Sequence, residues 1–298
     1  MVTLYTQQSK NVTKTWILMT IFFVVIIGLG WFVSYYYGNP NILYIFVLFS
    51  IVMNIASYWY SDKIVLKMTR AKEAKREEYF DLYTTVENLA ITAGLPKPRV
   101  YVIQDESPNA FATGRDKNHA VVAVTTGLLG ILNKVELEGV IAHELSHIGN
   151  RDMLLSTVVV VLVGFVAIVS DMFMRSMLFG GRSNSREGGG QLGAIIMIVG
   201  IILSILAPVI AILIQLAISR KREFLADSSG ALLTRYPEGL AGALEKISKY
   251  SKPMVGASNA TAHLFISNPF GGQALKGMHK LFMTHPPVEE RIKALRQN

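Results

Sequence analysis

His143 and His147 stand four residues apart, and a carboxylate, Glu144, directly follows the first of them. Residues four apart share one face of a helix, so both imidazoles can reach one metal ion while Glu144 stays beside the metal without binding it. That set suits hydrolysis: the metal acidifies a water and polarises a carbonyl, and the free carboxylate takes the water's proton. A single Zn²⁺ is the expected ion, although Mn²⁺ and Co²⁺ accept the same donors. Two histidines leave the ion short of a third protein ligand. The chain has no cysteine, so the candidates are His263, His285 or a carboxylate, and Glu223 is the best placed in sequence. It opens a predicted helix on which Asp227, four residues on, shares its face. Glu223 can then ligate while Asp227 accepts the remaining N–H of a ligating histidine and fixes its tautomer.

The elements that must hold these residues are partly readable. Asn133 can cap a helix with Glu136 at its third position, and Leu137, Val140, Ile141, Leu145 and Ile148 supply its apolar side. Residues 97–103 read as a short strand after a Gly94-Leu95-Pro96 turn, and residues 120–124 as a second, ending at Thr125-Thr126-Gly127. The charges from Lys72 to Glu78 read as the solvated face of a helix whose apolar side includes Phe80, Tyr83 and Val86.

Composition places this chemistry at a membrane. Only 17% of the 298 residues are charged and mean hydropathy is +0.37, outside the range of ordinary soluble domains. Residues 15–61 carry no charge and are broken by Gly38-Asn39-Pro40-Asn41, which predicts two spans, 16–37 and 42–60, with tryptophans and tyrosines at their rims. No small-residue cleavage site follows the first, so it reads as an anchor rather than a signal peptide. Residues 153–170 and 188–219 predict a second pair around a polar loop at 171–190; a pair dipping into the membrane against the catalytic domain is the alternative.

The expected fold is thus an α-helical integral membrane protein with four transmembrane helices and a mixed α+β metalloprotease domain. Its parts are a hairpin at 1–61, a first domain segment with the histidine helix at 62–152, a second hairpin at 153–219, and a second domain segment with the glutamate at 220–298. Lys63, Lys67, Arg70, Lys72, Lys75 and Arg76 follow the first hairpin, and Lys10 and Lys14 precede it. Positive-inside bias then predicts a multi-pass protein of the cell membrane with its catalytic domain in the cytoplasm. Arg175, Arg182 and Arg186 in the loop weaken that bias. The net charge of +8 reads as topology rather than nucleic-acid binding, since no basic and aromatic residues interleave in a recognition module. The spans hold few polar residues beyond Asn54, Ser57, Ser204 and Gln215, which argues against a transporter component with a structural metal.

Four landmarks carry a resemblance over nearly the whole chain: Asn109-Ala110-Phe111-Ala112-Thr113-Gly114, His143-Glu144-Leu145-Ser146-His147, Glu223-Phe224-Leu225-Ala226-Asp227, and Thr284-His285-Pro286-Pro287 followed by Arg291-Ile292. The chain resembles the HtpX-type membrane zinc metalloproteases of peptidase family M48, relatives of the CaaX prenyl-protein processing proteases. The resemblance implies zinc on His143, His147 and Glu223, with Glu144 as general base. It implies that Asn109 and the edge strand Ala110, Phe111 and Ala112 hold substrate backbone, and that His285 or Arg291 lies near the cleft in a catalytic role. It also implies quality control, with unfolded or misfolded membrane proteins as substrates in the lipid bilayer. Edge-strand docking reads main chain, which predicts broad specificity. Processing of prenyl-proteins is the runner-up; the short four-span layout argues against the large enclosed chamber of those relatives. The oligomeric state is open.

Overall fold

α1 (Leu4–Tyr37) and α2 (Pro40–Trp59) form the expected hairpin. Between them Gly38 takes φ +63°, and the Asn39 side chain accepts the Asn41 N–H at 3.0 Å to cap α2, with Pro40 in its first turn. The computed structural model describes residues 4–180, 220–250, 252–258, 260–271 and 286–297, with side chains from 9 to 166 in the first stretch. Within the most apolar window of each helix, 44% of α1 is buried by protein against 11% of α2. α1 is therefore the inner helix, and α2 turns Tyr44, Ile45, Leu48, Val52 and Ile55 outward, as a lipid-facing helix does.

The α+β part begins with α3 (Ser61–Met68), β1 (Lys72–Glu73), α4 (Phe80–Thr92), β2 (Arg99–Ile103), β3 (Ala110–Thr113) and β4 (Val121–Thr125). The strands form one sheet in the order β1-β2-β4-β3, with β2 and β4 parallel and both outer pairs antiparallel. The charged run expected to be helical is not: Lys72 and Glu73 pair with Val102 and Tyr101, and the helix starts only at Phe80. An outer strand exposed on both sides tolerates that charge. Both strands expected from sequence are present as β2 and β4.

After α5 (Thr126–Ile131) comes α6 (Lys134–Gly149), the helix that carries both histidines. Its capping box is formed: Glu136 N–H donates to Asn133 Oδ1 at 3.0 Å and Asn133 N–H to Glu136 Oε2 at 2.8 Å. α7 (Asp152–Gly180), α8 (Arg220–Thr234), α9 (Pro237–Ser248) and α10 (Val288–Gln297) follow. Val140, Ile141, Leu145 and Ile148 of α6 pack into one core with Leu82 and Val86 of α4, Val122 and Val124 of β4, and Leu240 and Leu244 of α9.

The expectation of four transmembrane helices is overturned. Among the described residues two helices are long and apolar enough to cross a membrane, Ser9–Tyr37 and Pro40–Trp59, or three if α6 and the Asp152–Val166 part of α7 count as one span broken by an 84° bend. The valine-rich start of α7 is apolar because protein covers it. Leu155, Val158, Val159 and Leu162 bury against Leu18, Phe22 and Ile26 of α1, and Val160 against Ile103, Phe111 and Ala123 of the sheet. Hydropathy cannot tell burial in protein from burial in lipid. The other expected member of that pair, 188–219, lies outside the described residues.

Candidate metal centre

α6 brings His143 and His147 together, with their Nε2 atoms 3.2 Å apart. Glu223, in the first turn of α8, completes the group: its Oε2 lies 3.8 Å from His143 Nε2 and its Oε1 3.7 Å from His147 Nε2. Two nitrogens held at bond length on a tetrahedral zinc ion stand about 3.3 Å apart, so the histidine pair has the separation such an ion requires. To ligate, one glutamate oxygen has to close on both nitrogens, and the three donor atoms already lie within 4.8 Å of one another. These are the residues among the described ones whose donor atoms converge on one point. Of the described candidates for the third ligand, Glu223 is the one that lies with the histidine pair; His263 has its Nε2 3.1 Å from the Ser156 carbonyl on α7.

Each imidazole is oriented from behind. His147 Nδ1 donates to Asp152 Oδ2 at 3.2 Å. His143 Nδ1 lies 2.9 Å from Asp227 Oδ1, an ion-pair contact between two buried side chains. Both carboxylates favour a proton on Nδ1, which turns both Nε2 lone pairs toward the same point. The close approach of α8 to α6 depends on Gly230, since a Cβ there would sit 2.9 Å from the His143 backbone nitrogen.

Asp227 is itself clamped. Arg291, wholly buried, donates from Nε to Asp227 Oδ2 at 2.9 Å, from its second amino group to Oδ1 at 2.7 Å, and to the Ile266 carbonyl at 3.3 Å. Burial pushes the Asp227 carboxyl up, but the Arg291 guanidinium outweighs it and holds the pKa at about 2. Burial lowers His147, yet the Asp152 hydrogen bond and the Glu223, Asp152 and Glu144 carboxylates carry it up to about 9. Glu144 is 2% exposed, and burial raises its pKa against the opposing pull of the two histidines. A carboxylate so raised is a stronger base toward water.

The remaining expected residues fall as follows. Asn109 is 1% exposed and its side chain is engaged internally: Nδ2 donates to the Ser267 carbonyl at 2.9 Å, and Oδ1 accepts from Ser267 N at 3.1 Å. Ala110, Phe111 and Ala112 form β3 at the sheet edge; the Ala110 carbonyl accepts the Ile266 N–H at 2.9 Å, and the Phe111 ring meets Phe265 edge-on at 5.2 Å. Arg291 stands behind Asp227, its donors turned to Asp227 and Ile266. His285 lies outside the described residues. Sequence reasoning missed Asp152, five residues past His147. Its one signal was a lone carboxylate at the start of an apolar run, where a helix N-terminus favours negative charge.

A family model described as "Peptidase family M48" matches residues 75–298. The "Protease HtpX homolog" of Caldanaerobacter subterraneus subsp. tengcongensis is 48% identical over 297 residues, covering 99% of this chain and 97% of that protein. The protein of the same description from Thermoanaerobacter pseudethanolicus is 49% identical over 297 residues, with the same coverage of 99% and 97%. That of Thermococcus kodakarensis is 48% identical over 286 residues, covering 95% and 94%.

Proposed function

The chain belongs to peptidase family M48, and from that premise we propose that it is a multi-pass zinc endopeptidase whose cytoplasmic domain cleaves unfolded or misfolded membrane proteins. The observation that carries this reading is the convergence of His143, His147 and Glu223 on one point beside the buried carboxylate of Glu144. When bound, zinc supplies Lewis acidity that acidifies a water and polarises a peptide carbonyl. Glu144 takes the proton from the attacking water and returns it to the leaving amine. Asp152 and Asp227 keep the two imidazoles turned inward while this happens.

The antiparallel pairing of β3 with β4 supports substrate docking at the sheet edge, because alternate residues of an outer strand direct their backbone groups away from the sheet. Asn109 bonds inward to Thr125, so Ala110 and Ala112 face outward. Ile266 occupies the Ala110 carbonyl, so a docking strand would pair through Ala112, which is 6% exposed in this structure. Main-chain docking selects extended chains. α1 and α2 hold the centre at the bilayer, which favours substrates already in the membrane. The basic residues from Lys63 to Arg76 support the cytoplasmic side.

The test is cleavage of an unfolded, non-prenylated model protein by the detergent-purified chain with zinc, beside Glu144→Ala. Activity that disappears in the variant establishes the endopeptidase. Zinc bound by both without cleavage by either refutes it in favour of a dedicated prenyl-peptide protease or a structural metal.

A further inference from the structure

Asn11 is a polar amide in the first part of α1, 2% exposed, on a helix otherwise packed through Leu18, Phe22 and Ile26. An amide buried in such surroundings destabilises the fold unless its hydrogen bonds are made. Here Nδ2 donates to Asp152 Oδ1 at 2.5 Å and to the Asn150 carbonyl at 3.1 Å. These acceptors lie on the two sides of the bend between α6 and α7: Asn150 caps the end of α6 and Asp152 opens α7. The Asn150 carbonyl belongs to the last turn of a helix, where carbonyls lack partners within the helix. Between the two acceptors Arg151 takes φ +57°, the left-handed conformation that a non-glycine residue adopts only when its surroundings enforce it.

The far side of Asp152 is the metal centre. Its Oδ1 takes Asn11 and its Oδ2 takes His147 Nδ1. Arg222, next to the ligand Glu223, brings its Nε to 3.5 Å from the same Oδ1. A carboxylate with one oxygen fixed can present the other in only one direction.

We propose that Asn11 is a positioning residue for the metal centre: by holding Asp152 and the end of α6 it sets the direction from which His147 is oriented, so the centre is complete only when the first membrane helix is docked. The inference rests on His147 being a ligand.

The experiment uses the full-length chain in detergent and reads zinc affinity by competition with a chromophoric chelator, alongside kcat and KM. Removing an outer partner of a zinc ligand typically weakens the metal by about 10- to 100-fold. Asp152→Ala is expected in that range and Asn11→Ala near its lower end, about tenfold, with kcat falling and KM unchanged. The double variant should bind no more weakly than Asp152→Ala alone, because Asn11 acts through Asp152. Ser50→Ala, a buried hydroxyl on α2 bonded to the Val47 carbonyl, should match wild type. The exchange Asn11→Asp with Asp152→Asn rebuilds a bond between the helices but gives His147 an amide; it should restore thermal stability and leave zinc weak. Asn11→Ala with wild-type zinc affinity, losses that multiply in the double variant, or an exchange that restores zinc affinity as well would each overturn the inference. A wild-type chain that binds no zinc would refute the metal centre itself.

Discussion

The two histidines that converge with Glu223 occupy one helix, yet opposite halves of the molecule hold them. His143 is backed by Asp227, which a buried arginine from the last helix clamps with two hydrogen bonds. His147 is backed by Asp152 at the mouth of α7, which answers to Asn11 on the first membrane helix. The first support is a closed ion pair in the α+β core, and the second is an open relay of neutral and charged partners reaching the membrane bundle. Closed pairs fail expensively when broken, because a charge is stranded without water. The second support joins Asp152 to Asn11, His147 and Arg222, so exchanging its carboxylate for an isosteric amide keeps bonds to its neighbours while weakening the hold on His147.

Breaking the closed side should have the largest effect. Arg291→Ala leaves Asp227 buried and unpaired and is expected to destabilise the chain by about 3–5 kcal/mol in denaturant unfolding. Gly230→Ala strikes the same side sterically. With a Cβ placed 2.9 Å from the His143 nitrogen, α8 must shift, for about 1–3 kcal/mol and a measurable drop in zinc affinity. Asp152→Asn should do the reverse, with zinc weakened about 10- to 100-fold and a smaller loss in unfolding than Arg291→Ala, because the isosteric amide keeps an oxygen for its neighbours. Equal destabilisation by Arg291→Ala and Asp152→Asn would erase the distinction between the two supports.

A pH titration of stability after chelation sharpens the comparison. Asp227 is held at about 2, below the ordinary 3.8, so its contribution is complete above about pH 4 and lost as pH falls through 2. His147 is carried up from 6.5 to about 9, so its contribution is complete below about pH 6.5 and lost as pH rises through 9. Acid should therefore weaken the core support and alkali the membrane-side support. Asp227→Asn is expected to flatten only the acid limb and Asp152→Asn only the alkaline one; a shared response to either variant would contradict separate supports. The smallest effect is expected at the bend. Arg151→Gly relieves a left-handed residue at φ +57° and should stabilise the chain by about 0.5–1 kcal/mol.

Much of the core support was legible. The Asn133 and Glu136 capping box, the apolar period of α6, and the spacing of Glu223 and Asp227 are local patterns that a helix converts directly into a face. The membrane-side support was not. Asp152 comes after a helix has ended and turned by 84°, so no period links it to His147. Asn11 sits 141 residues before Asp152 and looks like any polar residue at the edge of a span. Asn109, expected from sequence beside the substrate, has its amide on Ser267, a partner far along the chain that no local pattern records.

Short-range chemistry was fixed by the chain itself. Residue types and helical spacing dictated two imidazoles on one face with a base beside them, a glutamate and an aspartate on another, and two apolar helices joined by a glycine-proline turn. Folding alone decided what covers each surface and which distant group completes each contact. The valine-rich start of α7 became core instead of a lipid-facing span because α1 and the sheet lie against it. Arg291 became a clamp because α10 returns to α8. Periodicity acts through bonds along one helix, whereas burial and second partners depend on elements far apart in the chain, whose meeting no local pattern records.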